Sequence, residues 1–170
     1  MKNAITDNIE WTSLERVLET FASEFKNALQ TRLLRDGTNA SGTLVNSLKY
    51  EIESKNGNYD VYIILEDYWK YVDEGREPTK NGGNGQLLPK IKEWIRIKPV
   101  IPKMRDGRIP TIDQLAFLIT RKIHREGYEG THFFTDTKED LIPRFEQSIQ
   151  YAIEEDFNDH IDKLLGTINF

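Results

Sequence analysis

Apolar residues recur at intervals of three and four between residues 11 and about 34: Trp11, Leu14, Leu18, Phe21, Phe25, Ala28, Leu29 and Leu33. That spacing lays one apolar stripe along a long amphipathic helix. Thr12 or Ser13, followed by Glu15 and Glu19, supplies an amino-terminal cap, and Gly37 after Arg35-Asp36 is the expected left-handed terminator. The period then changes. After a turn at Gly42, apolar and polar residues alternate through Leu48, Tyr50 and Ile52, Asn56-Gly57 marks a tight reversal, and residues 59 to 65 are dense in β-branched and aromatic side chains. A β-hairpin is predicted, with Leu44, Leu48 and Ile52 on one face of its first strand.

Tyr68, Trp69, Tyr71 and Val72 then fall within one or two helical turns ending at Gly75, and Trp69 and Tyr71 are expected to anchor that turn in the core. Residues 76 to 88 are glycine-rich and aperiodic and read as a mobile loop; residues 99 to 109, bracketed by prolines, read as a second. Between them Pro89 opens a short helix whose Ile91, Trp94 and Ile95 share a face. Thr111 and Asp113 cap the next helix, with Ile112, Leu115, Ala116, Ile119 and Ile123 inward and Gly127 at its end. Residues 128 to 137 read as an irregular loop, followed by an acidic helix to about residue 165. Its expected stripe is Phe145, Ile149, Ala152, Ile153, Phe157, Ile161 and Leu164. Pro143 fits only its first turn or a break between two helices. The expected fold is α+β: one domain over residues 1–170, with a small antiparallel sheet packed against the long N-terminal helix and the C-terminal helices.

Composition narrows the function classes. The chain has no cysteine, which excludes disulfides, thiolate metal sites and cysteine nucleophiles. No apolar run approaches the ~20 residues of a bilayer span, and the first residues read without an export signal, so no membrane partner is expected. The net charge of -5 conceals a segregation. Basic and acidic residues number 8 and 13 over residues 1–75, 12 and 4 over 76–125, and 3 and 11 over 126–170. His124, His132 and His160 lack metal-ligand spacing, and Asn81-Gly-Gly-Asn-Gly lacks the Lys-Ser/Thr of a phosphate loop. Glu66 and Asp67 close a predicted strand, where a Mg²⁺ nuclease would place carboxylates, but no lysine follows two residues on. No catalytic residue, metal ligand or cofactor is therefore expected, and the chain reads as a non-enzyme. The basic residues Lys90, Lys92, Arg96, Lys98, Arg105 and Arg108 suit either nucleic-acid phosphates or the acidic helix of a second copy, where Glu154, Glu155 and Asp156 stand. Phe133 and Phe134 are candidates for an apolar subunit contact.

Three segments together resemble the tail-completion, or head-tail joining (neck), proteins of long-tailed phages and prophages. In that family a T-G-x-L-x-x-S-I turn opens the hairpin, Y-x-x-Y-V-D/E-x-G follows its second strand, and an aromatic segment precedes the last helix. The matching residues are Gly42, Leu44, Ser47 and Leu48; Tyr68, Tyr71, Val72, Asp73 and Gly75; and Phe133 and Phe134. The likeness covers about residues 10 to 165, and the chain departs from it by inserting residues 75 to 98 after the second motif. The resemblance implies a virion structural protein that assembles in the host cytoplasm. It would form a homo-oligomeric ring with other virion proteins on the portal or tail-tube side, and DNA would pass only as cargo. A nucleic-acid-binding accessory protein using residues 76–125 is the alternative.

Overall fold

The computed structural model describes residues 9–35, 42–55, 57–79, 85–98 and 109–166. Its elements are α1 (Thr12–Arg35), α2 (Thr43–Ser47), β1 (Lys49–Lys55), β2 (Asn58–Ile64), α3 (Trp69–Asp73), β3 (Gly75–Arg76), α4 (Leu87–Ile97), α5 (Ile112–Glu126), β4 (Tyr128–Glu129) and α6 (Phe133–Gly166). The fold is α+β: helices dominate, with two small two-stranded antiparallel sheets, β1-β2 and β3-β4, among the described residues. The chain divides into two compact units, one of residues 1–29, 49–64 and 135–170, the other of residues 30–48 and 65–134.

In the first unit α1 and α6 run antiparallel, since Glu10 pairs with Lys163 at 3.0 Å, Arg16 lies 3.6 Å from Glu155, and Phe21 meets Phe145 edge-on at 5.0 Å. Leu14, Leu18 and Ala152 are buried between them, with Trp11, Val17 and Ile149 packed around. The hairpin covers this seam. Its register pairs Lys55 with Asn58, which leaves two residues for the reversal, and Gly57 takes φ 79°, as the Asn-Gly signal predicted. Strand alternation turns Ile52, Tyr59 and Val61 toward the helices. The phenols of Tyr50 and Tyr59 then donate to Glu19 and Glu15, one helical turn apart on α1, so two hydrogen bonds fix where the hairpin lies.

Two features of this unit depart from the sequence reading. The cap of α1 is not Thr12 or Ser13: the Asp156 carboxylate, from α6, accepts the amides of Ser13 and Leu14, both at 2.9 Å. The four amides at a helix start have no partner within the helix, and a carboxylate satisfies both hydrogen bonding and the helix dipole. Pro143, in turn, lies inside an uninterrupted α6. It forfeits one backbone hydrogen bond, to Glu139, and both residues are exposed, so water can take that carbonyl. The expected terminator Gly37 lies outside the described residues.

In the second unit, residues 43 to 47 form a short helix, not the start of a strand. Gly42 precedes it in the left-handed conformation (φ 75°), and Leu44, Val45 and Leu48 are buried. The expected shared strand face of Leu44, Leu48 and Ile52 therefore does not exist, because the period changes from helix to strand at Lys49. Helices α4 and α5 bury Ile95, Leu115 and Ala116, with Ile91, Trp94 and Ile119 around them, whereas Ile112 is exposed in the first turn. Thr111 and Gln114 cap each other's backbone at 3.2 and 3.1 Å, and Gly127 ends α5. Of the two expected loops, residues 80–84 and 99–108 lie outside the described residues; at the edges of the first, Arg76 belongs to β3, the Thr79 amide donates to the His124 carbonyl at 2.8 Å, and Leu87 begins α4.

Asp156→Ala strands two buried amides. It should lower stability by about 2–4 kcal/mol and the melting temperature by about 5–15 °C, with Asp156→Asn in between and the exposed Thr12→Ala within about 0.5 kcal/mol of wild type. Thermal melts of the three variants check the order. A second expectation concerns alkali. The Tyr50 phenol is held above its usual range by its bond to Glu19, and that of Tyr59 by burial and then by its bond to Glu15. Below the ordinary phenol value of about 10 this contribution is fully present. As pH rises past that value the unfolded chain ionises first and stability falls. Urea midpoints measured from about pH 9 to about pH 11 should drop, and drop less in a Tyr50→Phe, Tyr59→Phe double variant.

Candidate interaction surfaces and the joint behind them

The three segments singled out by the family resemblance meet in the second unit. Ser47, at the end of α2, accepts the Glu66 amide on its hydroxyl at 3.2 Å and donates to the Leu44 carbonyl at 2.9 Å. Tyr68 sits beside the same helix: burial, first, and the charge of Glu66 raise its phenol pKa, opposed by a backbone hydrogen bond from Leu44. From Val72 and Asp73, at the end of α3, the chain then holds the start of α6. The Val72 carbonyl accepts from the Thr131 amide at 2.9 Å, and the Asp73 carbonyl accepts from His132 at 3.0 Å. The Asp73 carboxylate accepts the Phe134 amide at 2.7 Å. Asp73 is 1% exposed, so this is a buried carboxylate capping a helix that starts sixty residues later in the chain.

Glycine makes the close approach possible. Gly75 has φ 81°, and a Cβ there would stand 2.3 Å from the Tyr128 carbonyl oxygen; one on Gly130 would stand 1.9 Å from that of Asp73. The pairing of β3 with β4, Gly75 opposite Glu129 and Arg76 opposite Tyr128, depends on that clearance. His132, the residue before α6, is the one described non-glycine with positive φ, 53°, and the bond from its amide to Asp73 helps hold it there.

Several candidate contact residues are held inside this framework. Phe133 is fully buried, and Phe134 is half-buried with its ring 4.6 Å from that of Trp69, so neither supplies the exposed apolar contact expected of them. Asp156 is 4% exposed and holds the start of α1, which removes it from the acidic surface. Trp69, expected in the core, is half-buried, and Tyr71, expected there too, is 58% exposed and anchors nothing in the core. Lys92 is ion-paired with Asp113 at 2.9 Å, joining α4 to α5. Lys90, Arg96 and Lys98 are exposed on α4 and just after it, and Glu154 and Glu155 are exposed on α6. Arg105 and Arg108 lie outside the described residues.

Comparison with family models, with curated proteins and with solved structures finds no match. Glu66 and Asp67 are exposed turn residues, and among the described residues no group of three or more histidine, aspartate or glutamate side chains could hold a metal ion. A cavity of about 420 Å³ in the first unit is lined by Glu10, Ser13, Asp156, Asp159, His160 and Lys163. Its two most buried titratable groups are Asp156, which caps α1, and His160.

What the sequence reading missed is the pair of long-range aspartate caps. Asp73 offered one signal, a carboxylate two residues before a glycine turn. Asp156 offered none, because Phe145, Ile149, Ile153, Phe157 and Ile161 complete a four-residue apolar spacing without it.

Two glycines separate conformational strain from close approach. Gly57 has φ 79° and open space where a methyl group would stand, with nothing within 4 Å, whereas Gly75 has φ 81° against a carbonyl. Gly57→Ala should cost about 1 kcal/mol, the left-handed penalty less the entropy the unfolded chain loses. Gly75→Ala should cost several times as much, and chemical denaturation of both variants measures the difference.

Proposed function

We propose that the protein is a non-enzymatic structural component of a tailed-phage virion, one of several copies forming a ring in the neck, where head joins tail. The observation that carries this reading is the joint between α2, α3 and the start of α6. The three motifs behind the family resemblance are far apart in sequence, yet Ser47, Tyr68, Asp73 and Phe134 are connected through hydrogen bonds and backbone contacts within one unit. Motifs that share a single structural task are expected to occur together and in fixed order, which favours the resemblance over chance likeness of three short segments.

The charge layout supports the same reading. A net charge of -5 suits a ring whose carboxylates repel phosphate, so the genome can slide through without being held. Acid concentrated on α6 and base on α4 also suit contacts in which one surface meets a different surface of the next copy.

Tailed particles from the host that encodes this chain test the proposal. Antibody against the chain should label the head-tail junction, and removing its gene should leave filled heads and unattached tails. Particles that lack the protein overturn the reading. Duplex-DNA affinity of the purified protein falling steeply with salt would instead assign the basic α4 surface to phosphate binding.

A further inference from the structure

The C-terminal half of α6 is built the wrong way round for a helix of a closed monomer. Through Leu141, Phe145, Ile149 and Ala152 its inward positions are apolar. Continuing by fours, the next inward positions are Asp156 and His160, 4% and 9% exposed. The apolar residues move outward: Ile153 is 40% and Phe157 44% exposed, with Ile161 one turn further on. Successive helix residues are about 100° apart, so Ile153, Phe157 and Ile161 form a second stripe beside the buried one. Glu146, Gln150 and Glu154 lie along the same side.

Anchors at four-residue spacing with an acidic margin are the face that an amphipathic helix presents to an apolar, basic groove. An apolar face with a basic margin exists on this chain. On the side of α5 turned away from α4, Phe117 is 57% and Leu118 46% exposed, with Arg121 exposed one turn on. A monomer seldom leaves two such apolar patches uncovered, and here they carry opposite charge.

We propose that the Ile153-Phe157-Ile161 stripe of α6 docks on the Phe117-Leu118 face of α5 in a second copy of the chain, with the acidic margin of Glu146 and Glu154 meeting Arg121. The contact is heterologous: each copy offers one surface and receives the other, so the association continues until it closes. Apolar anchors at its centre supply the affinity, and the charges at its rim set orientation and rate. The inference rests on the reading of the protein as a self-associating ring component and names the surfaces that do it.

Phe157→Glu and Phe117→Glu test it, because both side chains are exposed and neither change opens a core. Each variant alone, shown to be folded by an unchanged melt, should lose self-association by about 30-fold or more in sedimentation equilibrium. Mixed, the two should form a one-to-one complex and nothing larger, since one intact α5 face and one intact α6 face remain. Variants that assemble as wild type does, a mixture that stays monomeric, or a wild-type chain that never self-associates would each overturn the proposal. Labelling of the head-tail junction is independent of all three, so it separates failure of this contact from failure of the neck reading.

Discussion

A helix start exposes amide groups that nothing in the helix can satisfy, and both long helices of this protein meet that requirement with an aspartate from elsewhere in the fold. Asp156 serves α1 and Asp73 serves α6. A local cap contributes stability to its own helix only. These two tie the start of one element to the body of another, so neither helix is complete until its distant partner is in place. The same demand explains why two carboxylates are buried in a chain this polar. A buried carboxylate is unfavourable unless its oxygens accept hydrogen bonds, and backbone amides at the positive end of a helix dipole are strong donors for it.

How much of this could be read from sequence follows from how far apart the interacting residues lie. Helix α5 was legible at both ends from Thr111 and Gly127, which act on residues three or four positions away, although the second capping side chain is Gln114 and Asp113, expected in that role, pairs with Lys92 instead. The hairpin was legible for the same reason: Gly57 and the alternation on either side of it are local signals. The caps of α1 and α6 bridge 142 and 61 residues, and no local pattern reports them. Residues 43 to 47 failed differently. Leu44 and Leu48 satisfy both a period of two and a period of four, and the structure takes the second reading, which buries both leucines in the second unit.

Among the residues considered for a site, those tied to backbone geometry proved informative and those chosen for charge or aromaticity divided. Gly42, Ser47, Asp73 and Gly75 each have a specific backbone task, a left-handed turn, a shared hydroxyl, a cap and a close approach. Phe133 and Asp156 looked like surface chemistry and are interior supports, whereas Tyr71 looked like an anchor and is exposed. Composition cannot make that distinction, since an acid or an aromatic ring is equally at home in a capped interior and at an interface.

The C-terminal half of α6 shows how one structural demand displaces another. Read along the sequence, residues 145 to 164 offer a single apolar stripe, and a rotation of about 100° near residue 153 would bury Ile153 and Phe157. Burying such a side chain contributes about 1.5–3 kcal/mol, comparable with what a doubly bonded cap provides. The structure keeps the cap, turning Asp156 inward and leaving the apolar residues at the surface. Within one copy the capped arrangement therefore forgoes part of the burial of Ile153 and Phe157. In the proposed contact the capped arrangement would recover that burial, because the outward stripe would be covered by a neighbour while the cap is kept. Selection for association would therefore preserve an arrangement that an isolated monomer has little reason to prefer.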